Sequence, residues 1–90
     1  MQILAVSGTL RPTKLTNAIA NALRVDQSAE VQPADMEFVN PAVNTIMMAR
    51  KSLKAQGIKV TFTPMALDLD GGREITATKF ILKAHKIQKS

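Results

Sequence analysis

Two adjoining patterns near the N-terminus restrict this chain more than any other feature. Ile3, Leu4, Ala5 and Val6 are apolar at four consecutive positions, which predicts a strand over residues 2–7 that is buried on both faces and central in a sheet. Leu15, Ala18, Ile19, Ala22 and Leu23 then fall at i, i+3, i+4, i+7 and i+8, the one-sided stripe of an amphipathic helix. Pro12 suits the first turn of that helix, and Lys14, Asn17, Asn21 and Arg24 occupy its other face.

The rest of the chain continues the theme. Residues 25–28 read as a turn and residues 29–32 as a short strand, with Glu30 and Gln32 on one side. Asn40 has the character of an N-cap and Pro41 fits the first helical position; the helix they open runs to about Gln56 and stops at Gly57. Val43, Ile46, Met47, Arg50 and Leu53 share one of its faces, and Ala42, Met48 and Ala49 widen the apolar surface. That second patch suits either local packing or half of a helix-to-helix dimer contact. Residues 59–63 alternate as a strand, residues 64–73 form a long connection with Asp70-Gly71-Gly72 at its tip, and residues 75–83 read as a last strand. Residues 84–90 read as a loose basic tail, so the predicted organisation is one domain over 1–83 plus that tail, in the order β-α-β-α-β-β.

Size and composition bound the function. Ninety residues leave little room for a deep cavity beside a core, and with no Cys and a single His85 neither a disulfide framework nor a Cys/His zinc site is available. Association between chains is the remaining way to bury more surface, so an oligomer is expected. Met1 leads directly into the first strand, without a basic n-region or a long apolar run, and the expectation is a soluble, cytoplasmic protein with no membrane contact.

The net charge of +5 is unevenly placed. Residues 1–45 set Arg11, Lys14 and Arg24 against Asp26, Glu30, Asp35 and Glu37, whereas residues 46–90 set nine cations against Asp68, Asp70 and Glu74. Lys79, Lys83, Lys86 and Lys89 follow Glu74 with no acid among them. Such asymmetry fits a polyanionic partner, and it also fits a surface kept soluble by lysines.

The stretch VSGTLRPTKLTN passes from strand to helix through small polar residues, as phosphate-cradling loops do. Gly8, Thr9, Leu10 and Arg11 resemble the flavin-phosphate turn of flavodoxin-like reductases. Lys14 and Thr16 break that motif's continuation, however, and there is no Tyr or Trp to stack on a flavin. A Walker A loop fails for want of Gly-Lys-Ser/Thr. The Asp68–Glu74 stretch lacks the ligand spacing of a calcium loop and reads as a hairpin turn with acidic shoulders; His85 reads as a surface residue. No pair of acids has the setting of general acid–base chemistry. The expectation is therefore no enzyme, no cofactor, no metal and no small-molecule substrate. For nucleic acid, the candidate contacts are Arg11, Lys14, Arg24, Arg50, Arg73 and Lys79, all suited to phosphate. Phe38, Phe62 and Phe80 are the only aromatics, which argues against base stacking and for weak sequence specificity.

Several blocks in order carry a resemblance across the chain. They are Val6-Ser7, Pro12, Ala18-Ile19-Ala20, Leu23-Arg24 and Ala29-Glu30-Val31-Gln32. Further on come Asn40 with Ala42-Val43, Ile46 and Ala49-Arg50, then Gly57-Ile58, Pro64, Asp70-Gly71 and Thr76-Ala77 with Lys79. Together they resemble the stage V sporulation protein S family, small bacterial regulators with an Alba-like fold. The resemblance implies an α/β chain, β1-α1-β2-α2-β3-β4, with two helices on one face of a four-stranded mixed sheet. It further implies a dimer, or a dimer of dimers, that binds DNA or RNA through the β1–α1 turn and the β3–β4 hairpin, without enzymatic activity. One segment departs from it: where the family tends to small, Gly-rich residues, this chain has Ala34-Asp35-Met36-Glu37-Phe38, whose acids would repel phosphate. The competing reading is a protein-interaction module of the same fold that acts on a regulator.

Overall fold

A computed structural model describes residues 1–8, 11–69 and 74–86, with side chains described except over 66–69 and 74–78. Its elements are β1 (Gln2–Val6), α1 (Pro12–Asp26), β2 (Ser28–Pro33), α2 (Val39–Lys54), β3 (Ile58–Leu69) and β4 (Glu74–Lys86). A 3₁₀ turn, Met36–Phe38, precedes α2. The sheet order is β1-β2-β4-β3, with β1 parallel to β2 and β4 antiparallel to both its neighbours. This is the four-stranded mixed sheet with two helices that the family resemblance implies.

The helices share one face of the sheet. Ile19 and Leu23 of α1, Ile46 and Leu53 of α2, Val31 of β2, Val60 of β3 and Leu82 of β4 are the large, fully buried side chains of a single core. At about 25 cal/mol per Å² of apolar surface, each such side chain contributes roughly 1.5–3 kcal/mol to folding. In α1 most of the predicted stripe is buried: Leu15, Ile19, Ala22 and Leu23 face inward and Ala20 joins them, while Ala18 is half-buried. The helix ends where Gln27 takes a left-handed φ of 62° and donates its N–H to the Leu23 carbonyl, so α1 reaches into residues the spacing assigns to a turn.

Several expectations are corrected. The first strand is an edge strand, not a central one. Its apolar residues alternate between a covered face, holding Leu4 and Val6, and an open face where Ile3 is 62% exposed. Four apolar residues in a row are compatible with two-sided burial, but the helices cover only one side. Asn40 is not the N-cap of α2: the helix starts at Val39, no side chain caps it, and the capping side chain of this region is Asp35, whose carboxylate accepts from the Glu37 N–H of the 3₁₀ turn. The buried stripe of α2 is Ala42, Thr45, Ile46, Ala49 and Leu53, rotated from the predicted face, so Met47 and Arg50 are exposed. Small residues win these inward positions because they let the two helices approach. Thr45 satisfies its hydroxyl by donating to the Pro41 carbonyl.

The hairpin is also longer than its alternation suggests. β3 continues through Pro64 to Leu69 as the outer strand, where a proline without an N–H is tolerated, with a register irregularity between Met65 and Ala66. β4 continues through Ala84, His85 and Lys86, pairing with Val60, Lys59 and Ile58. Those three residues therefore belong to the sheet and not to a loose tail. Gly57, with φ of 79°, closes the link from α2 to β3 and donates to the Lys54 carbonyl.

Candidate nucleic-acid interface

Strand directions divide the molecule into two ends. β1, β2 and β3 all run the same way, so the β1–α1 turn, the 3₁₀ turn and the outer ends of β3 and β4 lie at one end, here the arm end. The ends of α1 and α2, the start of β3 and the end of β4 lie at the other, the base. Because β2 pairs with β4 only through Val31 and Phe80, while the β3–β4 ladder continues to Leu69 and Glu74, the last rungs stand beyond the four-stranded sheet as a two-stranded arm. On β3 these are Met65 to Leu69, five residues that extend about 16 Å. The acidic-shouldered hairpin predicted from Asp68–Glu74 thus has its strands in place; residues 70–73, with Arg73, lie outside the described residues.

The six sequence-derived candidates do not converge. Arg11 and Lys14 are exposed at the arm end, at the start of α1, whose first turn has neither a capping side chain nor an acid. Unpaired N–H groups and two cations there favour an anion. Near them, Gly8 packs against Phe38: a Cβ at Gly8 would lie 3.5 Å from its ring. The 3₁₀ turn that holds Phe38 also brings exposed Asp35 and Glu37 to this end.

Arg24 stands at the opposite end of α1, about 20 Å along the axis from Arg11 at 1.5 Å per residue. Its Nε donates to Gln56 Oε1 at 3.0 Å, tying the ends of the two helices together. Arg50 lines a shallow cleft between α2 and β3 with Lys54, Ile58, Lys59 and Val60. Lys79 is on the open face of the sheet, 3.6 Å from the Glu30 carboxylate, which is largely buried and also accepts from Gln32. Lys79 therefore holds a structural charge pair.

Sequence reasoning missed Lys54 and Lys59 and placed Lys86 in a tail. Lys51 and Lys54 end α2, Lys59 opens β3 opposite His85, Lys83 lies opposite Thr61, and Lys86 opposite Ile58. The cation spacing at the end of α2 is visible in the sequence. Its junction with the two strand ends is not, because that requires the β3–β4 register.

Among the described residues, no group of three or more potential metal ligands occurs, and no helix is long and apolar enough to cross a membrane. The family model of stage V sporulation protein S matches residues 2–85. The chain belongs to the stage V sporulation protein S family. A solved structure, Alba from Thermoplasma volcanium, superposes with a TM-score of 0.52 at 14% identity, covering 91% of this chain and 95% of that one. The family's sequence pattern thus occurs here on an Alba-like fold.

Proposed function

We propose that this protein is a non-enzymatic, nucleic-acid-binding regulator of sporulation-type gene expression, acting in the cytoplasm as a dimer. It contacts the phosphate backbone through the β1–α1 turn, with Arg11 and Lys14, and through the β3–β4 arm, with Arg73 in the segment that joins its strands. The observation that carries this reading is the common direction of the two elements: turn and arm project from the same end of an Alba-like sheet. Exposed cations beside the uncapped start of α1 give the turn the chemistry that phosphate needs.

The test is fluorescence anisotropy of labelled duplex DNA, single-stranded DNA and RNA at two salt concentrations. Binding that weakens steeply with salt is expected, with a large loss in the Arg11→Glu/Lys14→Glu double variant. No binding to any of the three at low salt would sink the reading.

One observation favours the alternative, a protein-interaction module of the same fold. Met47 and Met48 on α2 are 41% and 55% exposed, and together they form an apolar surface suited to a protein contact. Binding to a protein regulator with little salt dependence would support it.

A further inference from the structure

We infer that the base of the fold is a second phosphate-binding surface, built by the end of α2 and the paired ends of β3 and β4. The inference rests on the nucleic-acid reading above and adds a site at the end opposite to the turn and the arm.

Six cations meet there: Arg50, Lys51, Lys54, Lys59, Lys83 and Lys86, all exposed. They come from three elements at this end: Arg50, Lys51 and Lys54 from α2 on the covered side of the sheet, Lys59 and Lys83 from β3 and β4 on its open side, where they alternate with buried Val60 and Leu82, and Lys86 from the end of β4. Arg50 and Lys54 are i,i+4 neighbours on α2, about 5–6 Å apart at their Cβ atoms. They line a cleft together with Ile58, Lys59 and Val60. The ladder then carries the charge across to β4, where Lys83 faces Thr61 and Lys86 faces Ile58. None of the six is ion-paired among the described residues, and the ion pair found there, Lys79–Glu30, lies further along the sheet. Among the described residues the acid at this end is Asp26, in the last turn of α1.

Lys51 and Lys54 have a partial structural reason, since cations at a helix C-terminus interact favourably with its dipole. That reason does not reach Lys59, Lys83 or Lys86, which lie on strands. Repulsion among unpaired like charges opposes their gathering, and a polyanion removes it. The chemistry favours phosphodiester over an acidic protein. The patch is dominated by lysine, which is depleted from protein interfaces, although the exposed Met47 lines a groove with Arg50, Lys51 and Lys54. Cations spread around one end of the molecule can follow a regularly charged backbone.

The experiment compares salt dependence of duplex DNA binding in three full-length proteins: wild type, Lys51→Gln/Lys54→Gln/Lys59→Gln, and Arg11→Gln/Lys14→Gln. Glutamine keeps helix propensity, and circular dichroism checks that each variant is folded. The triple variant is expected to lose about 2 to 3 from the slope of log K against log salt, and at least about tenfold in low-salt affinity. A folded triple variant with unchanged slope and affinity, beside a wild type that binds, overturns the base site alone. A wild type that binds no nucleic acid overturns both the site and the reading it rests on. Competition by polyglutamate as effective as that of DNA at equal charge also overturns the inference, and makes the patch an acidic-protein face.

Discussion

The two ends of this molecule differ in shape and in charge, and the two differences point in opposite directions. The arm end has reach: a turn, a 3₁₀ segment and a two-stranded extension leave the body of the sheet there. Its described, exposed charges offset one another, however, Arg11 and Lys14 against Asp35 and Glu37. Among the described residues the base has no projecting element, yet it gathers six exposed cations and sits directly on the core. Shape and charge can therefore be varied separately in this fold. A binding surface inferred from projecting loops alone misses the end where most of the described cations gather.

The largest effect expected concerns the base as a scaffold. Leu53 is fully buried in the last turns of α2, one residue from Lys54 and three from Arg50. Leu53→Ala removes a core side chain at the point where α2 is anchored, and should cost about 2–5 kcal/mol in chemical denaturation. If the basic surface depends on that anchoring, nucleic-acid affinity falls while the protein is still mostly folded. A stability loss below about 1 kcal/mol would mean that this end is looser than its burial indicates.

A smaller effect separates Lys79 from both ends. It stands where β2 stops pairing and the arm begins, on the largely buried Glu30 carboxylate. Lys79→Met leaves that carboxylate with Gln32 as its partner and should destabilise the fold by about 1–2 kcal/mol, given the usual cost of removing one side of a poorly solvated polar pair. The salt slope of nucleic-acid binding should not change. A slope reduced by about 1 would instead make Lys79 a phosphate contact and extend the arm's surface down to its root.

How far the sequence makes this visible differs between neighbouring elements for physical reasons. In α1, large aliphatic residues mark the buried stripe, so periodicity alone finds it. In α2 the stripe is written in Ala42, Thr45 and Ala49, while larger methionines face outward; hydrophobicity therefore points to the wrong side, and only the approach of α1 explains the choice. The edge position of β1 is hidden similarly, because Ile3 is as apolar as Val6 and topology decides which is covered. Order, helix count and the family pattern survive such errors, since they depend on the spacing of whole blocks. Arg11 and Lys14 were legible as candidates from the strand-to-helix transition beside them. The base cluster was not, since Lys59 and Lys86 come to the same end only through the register of β3 on β4, and Lys51 and Lys54 join them only through the packing of α2 on the sheet.

The smallest effect bears on the charge balance at the arm end. Asp35→Asn keeps an oxygen to accept from the Glu37 N–H, and Glu37→Gln keeps the length of a side chain that is exposed. The double variant should therefore leave stability within about 0.5 kcal/mol of wild type, as surface changes usually do. With two repulsive charges removed near Arg11 and Lys14, low-salt affinity for duplex DNA should rise by about two- to fivefold. The gain should fade as the screening length shrinks to about 3 Å at 1 M salt. Both results together would place the polyanion within range of the arm end. An affinity unchanged at every salt concentration, in a protein whose binding responds to Lys51, Lys54 and Lys59, would leave the base as the principal contact. The arm would then be free for another role, because a phosphate chain close to Asp35 and Glu37 must register their removal.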